Sequence, residues 1–199
     1  TGKWDKQLCK EMGINPDFLP EIFPSHQVIG KVTEKSAIET GFKVGTPVVA
    51  GGLDAACGAL GAGVIHPGET QEQGGQAGGM SICMDKYSAD KRLILGFHVV
   101  PNRWLLQGGT VGGGGVMRWF EQEFGFEERS LGGNSFDHLN ERAAKIAPGS
   151  DGMVFLPYMS GERSPIWDTN AKGVYYGIDF SKTKGHFLRA SLEGVAYSL

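Results

Sequence analysis

The segment "PVVAGGLDAACGALGAGV", residues 47–64, has a single charged side chain, Asp54, between an apolar run and a stretch of small residues. A carboxylate here could accept a proton from a hydroxyl group, or it could cap a helix, where replacement by Ala costs about 1 kcal/mol. Behind it stand Gly58, Gly61 and Gly63, and each glycine inside a helix costs about 1 kcal/mol relative to Ala. Such glycine content predicts a helix packed close to another backbone or a helix start that a ligand approaches. The residues alone leave capping and proton acceptance both open.

Glycine clusters are the second feature that could do chemistry. Glycine occupies 32 of the 199 positions, against a usual share of about 7%. The clusters lie at residues 51–63, 74–79 and 108–115 beside apolar or aromatic residues, which is not the composition of a flexible linker. Backbone N–H groups of a glycine turn can bind phosphate without any side chain. Neither GxxxxGK[ST] nor GxGxxG occurs, so these clusters are not a P-loop or a dinucleotide fingerprint.

Two other groups of residues have simpler interpretations. Glu162 and Arg163 in "GERSP" could line a cleft, but adjacent opposite charges more often fix their own loop through hydrogen bonds and pairing. Trp104 and the "RWF" residues could stack on a sugar ring, but we expect these aromatic side chains in the core.

Composition excludes several classes of function. The net charge of −3, without a run of Lys or Arg longer than two, predicts no nucleic-acid partner. No apolar stretch reaches the ~18 residues of a membrane span and no signal peptide opens the chain, so we expect no membrane partner and a cytoplasmic protein. Cys9, Cys57 and Cys83 lack CxxC spacing and the five histidines form no HxxxH pair, so we predict no disulfide and no metal site. The cysteines are interpreted as buried small apolar side chains.

The elements that must position these residues indicate a mixed α/β protein. Apolar spacing predicts a helix over residues 4–12, stopped by Gly13, and another that Gly41 ends. Val48–Ala50 is predicted to be a buried strand that leads to a helix starting within two residues of Asp54. The other predicted elements are antiparallel strands at "MSICM", "ILGFHVV" and "RWLLQGG", a helix in "VGGGGVMRWFEQEFG", a helix in "FDHLNERAAKIA", a strand in "GMVFLPYMSG" and a final helix in "KGHFLRASLEGVAYSL".

Three stretches share a pattern with a known family: "GTPVVAGGLDAACGALGAG", "FLPYMSGERSPIWDTNAKGVYYGI" and "GVYYGIDFSKTKGHFLRASLE". The last, from Gly173 to Glu193, has glycine, an aromatic residue and glycine in fixed order, then a seven-residue gap to His186 and a closing Ala-Ser-Leu-Glu. Together they resemble the FGGY family of carbohydrate kinases, which are two-domain ATP-dependent sugar kinases. The likeness covers nearly the whole chain and is strongest to the xylulokinase branch.

The resemblance implies an α/β protein with part of the actin/hexokinase-like (ribonuclease H-like) ATPase fold. Residues 1–66 would be the end of the N-terminal, sugar-binding domain, and residues 67–199 the start of the C-terminal, nucleotide-binding domain. The chain lacks an initiator Met and its last helix runs to Leu199 without a capping residue, so we expect a piece of a longer enzyme. We expect this piece alone to be inactive, because the family's opening phosphate loop and its adenosine loop lie outside it.

The resemblance also implies site residues. Asp54 would be the base that accepts the proton of the sugar hydroxyl, and Asp54 and Ala55 would bind the sugar. The family's "LGTSG" turn, which contacts ATP, corresponds to Gly74-Gly75-Gln76-Ala77-Gly78, so the Gln76 amide replaces a Thr hydroxyl.

The nucleotide would be bound by Gly75, Gln76, Gly114 and Arg118. Arg118 could pair with a phosphate or be a solvated helix charge, and both alternatives stay open. We expect the turn at residues 74–79 and the helix start near Gly114 to face the same cleft.

The function that the resemblance implies is transfer of the γ-phosphate of ATP to a hydroxyl of a ketose or polyol, most like a xylulose-type pentulose. ATP and Mg²⁺ are the expected cofactors, and the sugar and ATP the expected partners, with a homodimer as a candidate assembly. One alternative is a non-catalytic sugar-sensing or assembly relative that kept the kinase fold. Another is an acyl or amino-sugar kinase of the same superfamily, against which the Gly173 to Glu193 pattern argues.

Overall fold

The computed structural model describes residues 2–199, which form two compact units. The first unit contains the chain up to Ile65 together with Phe97–Arg103, and the second contains His66–Gly96 and Trp104–Leu199. None of the helices within residues 2–199 combines the length and the apolar composition that crossing a membrane requires.

The first unit consists of short helices and a small sheet. Asp5 caps the first helix by accepting hydrogen bonds from the N–H groups of Gln7 and Leu8. Thr33 caps the second helix, which ends where Gly41 adopts a left-handed conformation with φ 76°. The helices predicted at residues 4–12 and before Gly41 are therefore confirmed. The elements in chain order are α1 (Lys6–Glu11), β1 (Val28–Lys31), α2 (Glu34–Thr40), β2 (Pro47–Val49) and α3 (Asp54–Gly61).

The strand before Asp54 is present, but the prediction that it is buried is wrong. Val48 and Val49 of β2 remain 42% and 49% exposed. β2 pairs only with β1, antiparallel, and this sheet has no third strand among the described residues. A two-stranded sheet buries little of either face by itself, so the apolar run forms a strand without becoming core.

The second unit begins with an antiparallel sheet of four strands and contains all of it except Phe97, the last residue of β5. They are β3 (Thr70–Gly74), β4 (Gly78–Met84), β5 (Ile94–Phe97) and β6 (Trp104–Thr110), in the order β3-β4-β6-β5. The three antiparallel strands predicted from sequence are confirmed, and β3 is added to them. Gly78 lies opposite Thr110 and Gly79 opposite Gly109, so one end of the sheet carries almost no side chains. Other backbone segments can therefore approach it closely.

Helices and a two-stranded sheet complete the second unit. They are α4 (Gly114–Phe124), α5 (Phe126–Ser130), α6 (Ser135–Ala144), β7 (Val154–Leu156), β8 (Val174–Tyr176) and α7 (Lys184–Tyr197). The predicted helices α4, α6 and α7 and strand β7 are confirmed, whereas α5 and β8 were not predicted. α7 packs against α4, α6 and β7. The core side chains around it are Val116, Met153, Phe155 and Ala190 in one cluster and Phe120, Leu139, Ala143 and Leu188 in a second.

A buried carboxylate joins three of these helices. Glu128 of α5 is 1% exposed and pairs with Lys184 of α7 and with Arg142 of α6, whose Nε lies 2.9 Å from Oε1. Burial alone would raise the pKa of Glu128, but the hydrogen bond from Lys184, a backbone hydrogen bond and the charges of Lys184 and Arg142 lower it below its ordinary value. The ionised form of Glu128 therefore stabilises this helical layer.

The cysteines differ from the expectation at one position. Cys9 and Cys83 are buried, but Cys57 is exposed, and all three are free thiols. α3 buries only Ala56 and Ala59, so the side chain of Cys57 falls outside the buried stripe of its helix. The interpretation as a buried apolar residue is wrong for Cys57.

Candidate active site

Asp54 lies in the first unit as the first residue of α3, so the predicted helix start is confirmed. The N-cap residue is Leu53, and the Asp54 carboxylate accepts a hydrogen bond from the adjacent N–H of Ala55 at 2.7 Å. Asp54 is the first helical residue and not the N-cap, and the Leu53 side chain makes no cap bond, so capping in the usual sense is not the role of the Asp54 side chain. The carboxylate is exposed and has no cationic partner among the described residues.

Glycines near Asp54 serve the turn that precedes α3. Gly51 has φ 78°, and a Cβ on Gly52 would collide with the side chain of Val99 and lie 3.3 Å from Oγ of Ser25. A Cβ on Gly61, inside α3, would meet nothing within 4 Å among residues 2–199. Close packing against another backbone, one of the two predicted reasons for the glycines, therefore does not explain Gly61.

The nucleotide-binding candidates lie in the second unit, and two regions far apart in sequence meet there. The Gly75–Ala77 turn connects β3 to β4 and contacts the first residues of α4. The N–H of Gly114 donates to the carbonyl of Gly75 at 2.7 Å, and the N–H of Gly115 donates to the carbonyl of Gln76 at 3.0 Å. The structure thus brings Gly75, Gln76 and Gly114 together.

This contact requires glycine on the α4 side. A Cβ on Gly113 would lie 2.6 Å from the carbonyl oxygen of Ala77, and one on Gly114 would lie 2.6 Å from the carbonyl oxygen of Gly75. A Cβ on Gly115 would collide with the side-chain amide of Gln76. Real Cβ atoms do not come so close to backbone atoms, so a side chain at Gly113 or Gly114 would separate the turn from the helix, whereas the exposed Gln76 side chain can rotate away from one at Gly115.

Hydrogen-bond donors remain available at the turn. The N–H groups of Gln76 and Ala77 have no acceptor among the described residues, and both residues are exposed. The first N–H groups of α4 are already paired with the turn. An anion at this place would therefore meet the N–H groups of the turn rather than those of the helix start.

Arg118 lies one helical turn after Gly114. Its side chain is exposed and forms no ion pair or hydrogen bond within residues 2–199. The guanidinium is therefore free to bind a phosphate. The same exposure fits a solvated charge on the helix surface.

Glu162 fixes its loop, as the sequence interpretation held, but it does not pair with Arg163. The Glu162 carboxylate is 5% exposed and accepts hydrogen bonds from the Thr110 hydroxyl at 2.7 Å and the Val111 N–H at 3.0 Å. Arg163 is exposed, and only its backbone N–H reaches Glu162. Sequence reasoning missed Thr110 and Val111 as hydrogen-bond donors to Glu162, because they lie more than fifty residues away and no local pattern indicates the contact.

Comparison with protein families finds a match in each of the two units. The model of the FGGY family of carbohydrate kinases matches this chain with its N-terminal domain over residues 1–61 and with its C-terminal domain over residues 86–199. The chain is 34% identical over 201 residues to a gluconokinase of Bacillus subtilis (strain 168), covering 98% of the chain and 39% of the relative. It is 36% identical over 201 residues to a xylulose kinase of Staphylococcus epidermidis (strain ATCC 12228), covering 99% and 39%.

A solved structure gives the same likeness in three dimensions. The xylulose kinase from Rhodospirillum rubrum matches with a TM-score of 0.78 and 33% identity, over 96% of this chain and 38% of that one. The chain therefore has part of the actin/hexokinase-like α/β fold that was expected. It spans about two fifths of the length of the curated relatives named here, 39% in each case.

Proposed function

The chain belongs to the FGGY family of carbohydrate kinases, and we propose that it is part of an ATP-dependent sugar kinase. The observation that carries this proposal is the exposed carboxylate of Asp54 at the start of α3. Its one side-chain hydrogen bond within the described residues is to the neighbouring Ala55 N–H, which leaves acceptor capacity for a sugar hydroxyl. We propose that Asp54 and Ala55 contact the sugar.

The reaction assigned to this site is transfer of a phosphoryl group. Asp54 orients the sugar hydroxyl and accepts its proton, while the hydroxyl oxygen forms a bond to the γ-phosphorus of ATP. The bond between that phosphorus and the bridging β–γ oxygen breaks, and ADP leaves with the bond's electron pair. Because such transition states are loose, the hydroxyl needs little basic assistance until late in the reaction.

The second unit would hold the nucleotide. We propose that the Gly75–Ala77 turn binds phosphate through the free N–H groups of Gln76 and Ala77, with Gly114 supporting the turn and Arg118 pairing with a phosphate oxygen. Magnesium would neutralise phosphate charge when it is bound with ATP. No three His, Cys, Asp or Glu side chains of the described residues group into a metal site, so no protein ligand for magnesium is assigned.

Domain roles follow from the same assignment. We propose that residues 1–66 belong to the sugar-binding domain and residues 67–199 to the nucleotide-binding domain. A cytoplasmic location and a homodimer stay predictions.

Two acceptors have support from relatives. A xylulose-type pentulose is the acceptor we propose first, because a curated xylulose kinase and a solved one are among the proteins similar to this chain. Gluconate is the second candidate, because a gluconokinase is 34% identical. The gluconokinase and both xylulose kinases are named as kinases, so nothing favours the alternative of a non-catalytic relative.

A substrate panel on the full-length protein tests the proposal. Purified protein is given ATP and Mg²⁺ with xylulose, other ketoses, polyols and gluconate in turn, and ADP formation is measured. We expect ADP formation with one acceptor class and none without an acceptor. Sugar binding without ADP formation with any acceptor would instead indicate the non-catalytic alternative.

A further inference from the structure

We propose that Glu162 is a positioning residue for the nucleotide phosphates, acting through the connection between β6 and α4. The inference rests on the nucleotide role proposed above for the Gly75–Ala77 turn. Glu162 itself touches neither that turn nor any residue assigned to ATP or sugar. Its contribution would be to place the backbone between β6 and α4, which in turn contacts the Gly75–Ala77 turn.

The first step is the anchoring of the connection. Both oxygens of the buried Glu162 carboxylate are used: Oε2 accepts from the Thr110 hydroxyl, and Oε1 accepts from the N–H groups of Val111 and Arg163. Thr110 is the last residue of β6 and Val111 the next, so the carboxylate holds the chain where it leaves the sheet. The neighbouring Ser164 hydroxyl accepts from the N–H of Gly109 at 2.9 Å.

The second step continues from Thr110 to the helix start. The Thr110 hydroxyl, while donating to Glu162, accepts from the N–H of Gly112 at 3.3 Å. Gly112 is packed so tightly on the carbonyl of Pro157 that a Cβ would collide with it. Gly113 then caps α4, and Gly114 donates to the carbonyl of Gly75. A continuous series of contacts therefore runs from Glu162 to the turn.

The chemistry of the partners argues for positioning rather than for charge pairing. All three donors to Glu162 are neutral, and no cation of the described residues pairs with it. An apolar side chain here would leave buried donors unpaired. An amide accepts with its oxygen only, so its NH2 group would face Thr110 as a donor, reverse that hydrogen bond and disturb the hydroxyl that accepts from the Gly112 N–H, without emptying the space.

The test compares two buried carboxylates of the same unit in the full-length protein. Glu162→Gln should raise the dissociation constant of ADP about tenfold, the equivalent of about 1.4 kcal/mol of lost positioning. The KM for the sugar should change by less than about twofold, because the sugar is assigned to the other unit. Glu128→Gln is the matched control: Glu128 is 1% exposed, and its ion-pair partners among the described residues are Arg142 of α6 and Lys184 of α7, so ADP affinity should stay unchanged even if stability falls.

A milder variant and a second measurement protect against misfolding. Thr110→Ser keeps the hydroxyl and should bind ADP like wild type, whereas Thr110→Val should weaken ADP binding in the same direction as Glu162→Gln. Hydrogen exchange of the Gly114 and Gly115 amides, which donate to the turn, should be faster in Glu162→Gln and unchanged in Glu128→Gln.

The outcomes separate this inference from the proposed function. If wild type binds ADP and Glu162→Gln binds it equally well, Glu162 does not position the site and the inference is wrong. Unchanged exchange at Gly114 and Gly115 in Glu162→Gln has the same meaning, with or without ADP. Failure of the full-length wild type to bind either ADP or ATP would refute the nucleotide assignment itself.

Discussion

Replacement of Gly113 by Ala tests the contact between the Gly75–Ala77 turn and α4. The new Cβ would lie 2.6 Å from the carbonyl oxygen of Ala77 and 2.6 Å from the amide nitrogen of Gly78. Both are backbone atoms, so relief requires the turn to move away from the helix as a unit. Overpacking of this kind costs about 1–3 kcal/mol, and we expect the free energy of unfolding to fall by that amount.

Gly96→Ala is the matched control in the same unit. A Cβ on Gly96, in strand β5, would meet no atom of the described residues within 4 Å, so this variant should be as stable as wild type or up to about 1 kcal/mol more stable. Urea unfolding of both variants gives the midpoint and slope, and an unchanged slope shows that the shift reports stability. If Gly113→Ala has the wild-type midpoint, the turn does not pack on α4 as described. ADP affinity should fall with Gly113→Ala alone.

Two further predictions concern charged side chains. Glu128→Gln should lower the free energy of unfolding at pH 7 by about 1–3 kcal/mol, because it removes a buried charged acceptor from Lys184 and Arg142. Folding lowers the pKa of Glu128, so the stabilisation by its ionised form is complete above the ordinary pKa of 4.5 and is lost as the pH falls through the folded pKa. The unfolding free energies of wild type and Glu128→Gln should therefore converge in urea titrations at acid pH. A difference that stays constant with pH would refute this. Arg118→Gln should raise the KM for ATP about tenfold and leave stability within about 0.5 kcal/mol, because the exposed guanidinium has no partner within residues 2–199. An unchanged KM for ATP would identify Arg118 as a solvated helix charge.

The elements that the sequence predicts well are those with local signals. α2 begins after the capping residue Thr33 and ends at Gly41, whose left-handed conformation is a role that glycine fills easily. α7 has a long amphipathic pattern, and a capping box between Thr183 and His186 marks its start. Such signals lie within a few residues of the element itself and need no knowledge of the rest of the fold.

Burial and long-range pairing could not be predicted in the same way. Val48 forms the predicted strand, but its exposure depends on whether another layer covers a two-stranded sheet. The glycine at position 113 is explained by a turn thirty-six residues earlier, around Ala77, and the Glu162 carboxylate by Thr110. These contacts exist only after the chain has folded. The glycines in the sequence therefore indicate that another part of the chain comes close, but they do not indicate which part.

The central claim is that the Asp54 carboxylate accepts the proton of the sugar hydroxyl. Asp54→Asn keeps the size of the side chain and an oxygen that can accept from the Ala55 N–H, so the melting temperature should barely change. Glu34→Gln is the matched control, because Glu34 is an exposed carboxylate at the first position of α2, as Asp54 is of α3. It should leave turnover unchanged.

The most direct measurement is the turnover number of full-length Asp54→Asn beside wild type and Glu34→Gln, at saturating ATP and sugar. A positioned base contributes about 10² to 10⁴ in rate, and we expect turnover to fall by that factor while sugar binding weakens only modestly. Retention of more than about a third of wild-type turnover, far outside the range of a lost base, would contradict the assignment of Asp54 as the proton acceptor.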